Sequence, residues 1–324
     1  MLFRYFIKRV ISLIPVVLII TIMLFTIMKL MPGDPVRMML NPALKAEQYE
    51  TAYDAMFRKL GLDKSYPEQY VRWMGNIFQG ELGWSSLHNK PVEDAVAEPM
   101  RNTIILNVFV IIIQLAITLP LGIQSAVKRG SFLDSFIQFF SIATYSMPSF
   151  FIALSLIFIF AINLGWLPVG SMPLTNKLTG FAFIGAWAKY MALPVTCLVL
   201  IGMASTIRYV RNAMLEALSN DYIRTARAKG LSEKVVIYSH AFRNALIPIS
   251  TIVIWNIFRL FSGSAITETV FAWNGIGHVL VKALNNRDFA LVTTMNLFFA
   301  VLGVTANLVA DISYGLIDPR IKLE

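Results

Sequence analysis

The sequence predicts an all-α integral membrane protein with six spanning helices and a mostly helical outer insertion after the first of them. Three observations predict it. Apolar residues make up 56% of the 324-residue chain and charged residues only 15%, against about 25% charged in ordinary soluble domains. A soluble fold of this length lacks the polar side chains to cover its surface, whereas lipid tails solvate apolar ones. The apolar residues gather into runs long enough to cross a bilayer. Finally, the Lys and Arg residues behind the net charge of +9 sit in short segments beside those runs, the positive-inside pattern of membrane proteins. A nucleic-acid surface is the other reading of such a charge, but there is no zinc-finger spacing and no basic–aromatic RNA-binding motif.

A spanning helix needs roughly 20 mainly apolar residues. Six stretches qualify: about Val10–Leu30, Thr103–Val127, Ser135–Leu164, Met191–Ile207, Ala245–Thr267 and Phe289–Leu316. The first follows Arg4, Lys8 and Arg9. It is longer than a secretory apolar region of roughly 7–15 residues and has no small-residue cleavage site behind it, so it is expected to remain as a span. Pro148 should kink the third, because proline removes a helical N–H and clashes with the preceding turn. Pro194 suits the first turn of the fourth.

Orientation follows from the basic residues. Arg4, Lys8 and Arg9 precede the first span; Lys128 and Arg129 lie between the second and third. Arg208, Arg211, Arg224, Arg227, Lys229, Lys234 and Arg243 lie between the fourth and fifth, and Arg320 and Lys322 follow the sixth. An even number of spans puts them all on one side, the cytoplasm, with both termini inside. The whole chain, 1–324, then reads as one transmembrane domain holding an outer subdomain at 31–101 and a cytoplasmic loop at 208–243. The outer segment carries Tyr49, Tyr53, Phe57, Tyr66, Tyr70, Trp73 and Phe78, which is too apolar for a disordered linker. Trp166, Trp187 and Trp273, in the other outer segments Gly165–Tyr190 and Val270–Asp288, are expected in the interfacial aromatic belt.

Enzyme chemistry finds little support. There is no phosphate-binding G-x-x-x-x-G-K-[ST], no H-E-x-x-H and no G-x-S-x-G, and His88, His240 and His278 are far apart. Cys197, the single cysteine, rules out an intrachain disulfide or a cysteine metal cluster and reads as a small buried apolar residue. Within the spans stand Asn107, Gln114, Gln138, Asn256, Arg259, Asn296, Asn307 and Asp311. Such groups line a water-filled path or join helices by hydrogen bonds; for the amides the second reading is preferred. Arg259 lies about 21 Å along the fifth span at 1.5 Å per residue, with Glu268 as its candidate partner. A pathway role and a structural role both stand for it. A chain of buried carboxylates, expected of a proton-coupled carrier, is missing.

The cytoplasmic segment is more informative. Ser219-Asn220-Asp221 offers helix-capping side chains, Tyr222 to Lys229 reads as a short helix, Gly230 fits a left-handed end, and Ser232 restarts a helix that leads into the fifth span. Its charge alone would be explained by topology. The small residues Thr225, Ala226, Ala228 and Gly230 point further, because they let another surface approach closely, as in helix-in-groove docking.

The stretch Asp221-Tyr-Ile-Arg-Thr-Ala-Arg-Ala-Lys-Gly230-Leu resembles the coupling loop, the "EAA" loop, of ABC importer permeases, and within them the dipeptide/oligopeptide/nickel branch. Pro32-Gly33-Asp34-Pro35 after the first span resembles the same branch, as do Gly61-Leu62, Pro67, Gln69-Tyr70, Trp73 and Gly80-Glu-Leu-Gly83-x-Ser85 in the outer segment. His240-Ala-Phe-Arg-Asn-Ala-Leu-Ile-Pro248, Glu268-Thr-Val-Phe271 with Gly275-Ile-Gly277, and Asp311-x-x-Tyr314 with Asp318-Pro-Arg320 continue it to the end. One departure is Arg224, where the general importer pattern has Glu six residues before the glycine; the peptide branch commonly departs there. The resemblance implies a type I ABC importer permease fold in a bacterial cell membrane. It implies a second homologous permease, two ATPase subunits that bind the ATP and magnesium, an external substrate-binding protein and a peptide substrate, with no cofactor in this chain. Docking on the ATPase falls to Asp221, Tyr222, Arg224, Thr225, Ala226, Arg227, Ala228, Lys229 and Gly230. Arg259, Glu268, Phe271, Gly275 and Gly277 mark a candidate translocation path or gate. A nickel-chelate permease is the alternative within the branch, and a secondary transporter the alternative outside it.

Overall fold

In the computed structural model, which describes residues 2–40, 43–173 and 179–317, the chain is almost wholly helical. Helix α1 (Leu2–Leu30) is followed by the shorter α2 (Pro35–Met39), α3 (Ala46–Lys59) and α4 (Tyr66–Phe78), then by an antiparallel ladder of β1 (Trp84–Ser85) and β2 (Lys90–Pro91). Next come α5 (Val92–Val127), α6 (Phe132–Ser146), α7 (Ser149–Leu156) with a π-helical continuation Ile157–Asn163, and α8 (Gly180–Ser219). Helix α9 (Asp221–Ala228) precedes one helical run made of α10 (Glu233–Val235), a π-helical stretch Val236–Phe242 and α11 (Arg243–Arg259). Helices α12 (Ala265–Val270), α13 (Ile276–Asn285) and α14 (Phe289–Ile317) complete the order. Among the described residues, five helices are long and apolar enough to cross a membrane, or six if the bent pair α6–α7 forms one span.

The predicted spans differ from these helices in three places. The third is broken, not kinked: α6 and its continuation meet at 103°. The residue before a proline is driven out of the helical region, and Met147 accordingly sits at φ −82, ψ 134 ahead of Pro148. The fourth belongs to a helix of 40 residues with Pro194 in its interior, not its first turn; hydropathy marks where lipid begins, not where helical hydrogen bonding does. That helix runs on to Ser219, so the first third of the predicted cytoplasmic loop is helical. The fifth ends at Arg259, because Ser262-Gly263-Ser264 supplies turn-forming residues before α12 begins.

The chain divides into two compact units, one of Met1–Pro99 with Val279–Thr305 and one of Met100–His278 with Ala306–Glu324. In the first, local signals set the short helices. Asp34 caps α2 by accepting from Val36 N at 2.9 Å. Ser65 and Glu68 form a capping box at α4, where Glu68 Oε2 accepts from Ser65 N at 3.1 Å. Buried Phe25 of α1 meets Tyr70 of α4 edge to face at 5.6 Å, and Tyr70 shares a 2.7 Å hydroxyl contact with Thr21. Thr294 Oγ1 of α14 donates to Leu82 O at 3.0 Å, so the turn before β1 is held on the last long helix.

In the second unit α8 is the central element, packed by α6, α7, α11 and α9. Gln114 Nε2 of α5 donates to Gly202 O at 3.2 Å and to Thr206 Oγ1 at 2.8 Å, and Gln138 Nε2 donates to Ser125 Oγ at 3.3 Å. These amides join helices, the reading preferred for them. Asn296 instead bonds its own helix at Val292 O. Asp134, at the start of α6, accepts from Arg211 Nε at 2.9 Å and Nη2 at 2.8 Å, from Ser125 Oγ at 2.5 Å and from Gly130 N at 2.9 Å. A buried charge this fully bonded is sustainable in an apolar setting. Cys197 is buried, as expected. Trp166 is exposed, but Trp273 is wholly buried and leaves the predicted aromatic belt; its indole N–H is used inside, on Asn102 O at 3.3 Å. The side chains of Arg4, Asp311 and Tyr314 lie outside the described part, as do Asp318, Arg320 and Lys322 altogether.

Candidate functional site

Helix α9 is short because its ends are fixed by sequence. Asn220 stands at its N-cap, but its side chain does not cap α9; its Nδ2 donates back to Glu216 O at 2.8 Å and finishes α8. At the other end Gly230 has φ +76, a conformation in which a Cβ costs roughly 1–2 kcal/mol. Gly230 N donates to Arg227 O at 2.9 Å and closes the helix. Beyond it, Arg227 Nε pairs with Glu233 Oε1 at 2.8 Å, which pins α9 to the helix leading into α11.

The two sides of α9 do different work. Ile223 and Ala226 are buried, packed with Val210, Met214 and Ala217 of α8 and with Val236, Ala241, Ala245 and Ile249. Ala226, expected on the docking surface, therefore belongs to the core beneath it, where its small side chain lets α9 lie close to α8. Asp221, Tyr222, Arg224, Thr225, Arg227, Ala228, Lys229 and Gly230 are exposed. The Asp221–Arg224 pair, 3.5 Å apart and with both side chains largely in water, adds little stability and leaves both groups available. The exposed face is basic, with Ala228 and Gly230 leaving it shallow.

Of the predicted gate residues, Glu268, Phe271, Gly275 and Gly277 come together, and Arg259 does not join them. Glu268 is 1% exposed. Its Oε1 accepts from Thr103 Oγ1 at 3.0 Å and Ser264 N at 3.3 Å, and its Oε2 from His278 N at 3.0 Å. Thr103 in turn accepts from Ile276 N at 2.8 Å. One carboxylate thus ties α5, α12 and the first turn of α13 together. The glycines make room for it: a Cβ on Gly275 would stand 2.6 Å from Glu268 Oε2, and one on Gly277 2.9 Å from the same atom. Phe271 is wholly buried against Ile152, Ala153, Leu193 and Cys197, and its carbonyl accepts from Ser171 N at 2.7 Å. Burial raises the Glu268 pKa, while the amides of His278, Gly277 and Ser264 and the Thr103 hydroxyl pull it down.

Arg259 is the last residue of α11, with an exposed side chain, and it makes no ion pair among the described residues. Its carbonyl accepts from Asn107 Nδ2 at 3.0 Å and from Ser262 N at 3.1 Å. The expected Arg259–Glu268 pair is replaced by Glu268's bonds to neutral donors.

Residues 118–323 match the family described as "Binding-protein-dependent transport system inner membrane component", and residues 2–107 match "Binding-prot-dependent transport system membrane comp, N-term". The chain belongs to this permease family. Oligopeptide transport system permease protein AppB of Bacillus subtilis is 38% identical to the permease, across 98% of this chain and 99% of its own length. Di/tripeptide transport system permease protein DppB of Pseudomonas aeruginosa is 37% identical across 97% of each. A chain of the inward-facing MetNI methionine ABC transporter, at 16% identity, covers 67% of the permease and 95% of its own length with a TM-score of 0.48, too slight a likeness to add to the assignment. The permease is thus a multi-pass membrane component of a binding-protein-dependent ABC importer. It carries no cofactor, and the ATPase activity of the system resides in partner subunits.

Sequence reasoning did not single out Thr103, Asn102, Asp134 or Asp288 as anchors. Two had a signal. Ser131-x-x-Asp134 ahead of an apolar run is a capping-box pattern, and Asp288 directly precedes the last span, where an N-cap belongs. Asn102 and Thr103 had none, since their partners are more than 160 positions away.

Proposed function

We propose that this permease is one of two homologous pore-forming subunits of an ATP-driven importer of di- or oligopeptides, set in a bacterial cell membrane with both termini cytoplasmic. The observation that carries the substrate class is the end-to-end match to permeases named for oligopeptide and di/tripeptide transport. The geometry supports the coupling. The exposed side of α9, from Asp221 to Gly230, docks in a groove of an ATPase subunit, while buried Ile223 and Ala226 transmit its movement to α8 and α11. ATP binding closes the ATPase pair, both coupling helices move, and the paired bundles rock between inward-open and outward-open states. The outer segment 31–101 receives the binding protein or guides peptide toward the pore. Glu268, Phe271, Gly275 and Gly277 hold the turn beside that path rather than touching substrate, and Arg259 is the exposed charge left to face it.

The test is reconstitution in proteoliposomes with the second permease, two ATPase subunits and the binding protein. ATP-dependent uptake of labelled short peptides is expected. Uptake of a nickel chelate without uptake of any peptide would reject the substrate class.

A further inference from the structure

In the outermost two turns of α1, Ile22, Phe25, Thr26, Lys29 and Leu30 share one helical face, and across from them the start of α4 places Tyr66, Pro67 and Tyr70; together they line a cavity of about 420 Å³. From Ile22 to Leu30 the face runs about 12 Å at 1.5 Å per residue, close to the roughly 15 Å that one leaflet contributes to the hydrocarbon core. Leu30 closes the apolar span Ile7–Leu30, so the cavity lies at the depth of the leaflet at that end. Its flanks are exposed and apolar, with Ile19, Ile22, Met23 and Ile27 all largely uncovered, so it opens to lipid. The end nearest the surface is cationic. Lys29 Nζ donates to Gln69 Oε1 and lies 5.3 Å from the Phe25 ring centroid. An ammonium has three donors, and no carboxylate is among the residues lining the cavity. A charge at a membrane boundary needs an anion or water.

We propose that this cavity is a binding site for an anionic phospholipid of the leaflet at the Leu30 end of α1. An acyl chain lies along Ile22, Phe25 and Thr26, and the phosphate meets Lys29 beside the Tyr66 and Tyr70 rings. The dimensions match one lipid chain entering sideways, and the polarity runs in the order a phospholipid presents. A peptide side chain is the competing occupant; it would have to enter from water.

The test uses the whole transporter in nanodiscs doped with phosphatidylglycerol bearing a photoreactive group on its acyl chain, with cross-linked peptides mapped by mass spectrometry. Labelling concentrated on residues 22–30 and 66–70, above that at the exposed Ile11, Ile14 and Leu18 of the same helix, is expected. Lys29→Met should cut it several-fold, Lys29→Arg should keep it, and Lys59→Met, an exposed lysine of α3, should leave it unchanged. The wild-type protein alone gives a second reading: the same probe built on phosphatidylcholine should label the cavity several-fold less. Even labelling along α1, equal labelling by the two lipids, insensitivity to Lys29→Met, or loss of labelling when a photoreactive peptide takes the cavity would each overturn the proposal.

Discussion

Ser85 donates its hydroxyl hydrogen to Asp288 Oδ2 at 2.5 Å, joining two residues 203 positions apart. The same oxygen accepts from Leu87 N at 3.1 Å, and Oδ1 accepts from Leu291 N at 3.1 Å. Asp288, 1% exposed, therefore caps α14 with one oxygen and grips the β1–β2 turn with the other. This gives the Gly80–Ser85 motif its physical purpose, the fixing of the turn before β1 on the last long helix.

Asp288→Ala should accordingly destabilise the permease twice over. It removes a cap worth roughly 0.5–2 kcal/mol and strands the buried Ser85 hydroxyl, at about 1–3 kcal/mol for an unsatisfied group, together with the half-buried Leu87 amide. Ser85→Ala should cost less, because Asp288 keeps its amide donors. Thermal unfolding of the purified transporter and proteolysis between residues 79 and 91 measure both. A wild-type melting point and cleavage pattern for Asp288→Ala would show that the grip contributes nothing.

Glu268 should make stability depend on pH. Burial raises its folded-state pKa above the ordinary carboxylate value. A raised pKa means that its contribution is complete below the unfolded pKa and declines as pH rises through the folded one. Wild-type melting temperature should therefore fall across that window by more than that of Glu268→Gln, in which nothing titrates. Glu268→Ala should be less stable at every pH, since it leaves the Thr103 hydroxyl and the amides of Ser264 and His278 without their acceptor. Parallel pH profiles for wild type and Glu268→Gln would count against this account.

The two alanines of α9 should separate folding from docking. Ala226→Asp puts a charge into the packed layer under the helix and should lower the yield of folded permease. Ala228→Asp alters only the exposed basic side; insertion should be normal while ATPase association or peptide-stimulated hydrolysis drops. Gly230→Val should behave like Ala228→Asp, because no atom lies within 4 Å of a Cβ there and the cost is the roughly 1–2 kcal/mol of a left-handed backbone. Co-purification of ATPase and stimulated turnover are the measurements. Wild-type values for both Ala228→Asp and Gly230→Val would mean that α9 is not the coupling element.

Topology is open to a direct chemical test. Cysteines placed at Asp63 and Lys90 should react with an impermeant thiol reagent applied to intact cells, and cysteines at Lys128 and Lys229 should not. Native Cys197 is buried and should stay silent in both cases. The opposite pattern would invert the membrane orientation.

Much of this architecture is local information and was legible in the residues. The apolar runs reveal spanning helices because lipid rewards long apolar segments wherever they fall in the chain. The short helix ending at Gly230 is legible because helix caps and left-handed turns depend on neighbouring residues. Pro148 marks the break in the third span, although the size of the bend does not follow from a proline alone. Tertiary structure decided which side chains face inward and which distant ones meet. Ala226 and Ala228 are the same residue type two positions apart, yet one is core and the other surface, because α8 lies against only one side of α9. Trp273 belongs to the interior because Asn102 offers its carbonyl there. Glu268 meets Thr103 rather than Arg259, and Ser85 meets Asp288, through contacts whose partners are 165 and 203 positions apart. No local periodicity encodes such pairs; they arise when packing excludes water and each buried polar group must find a partner within reach.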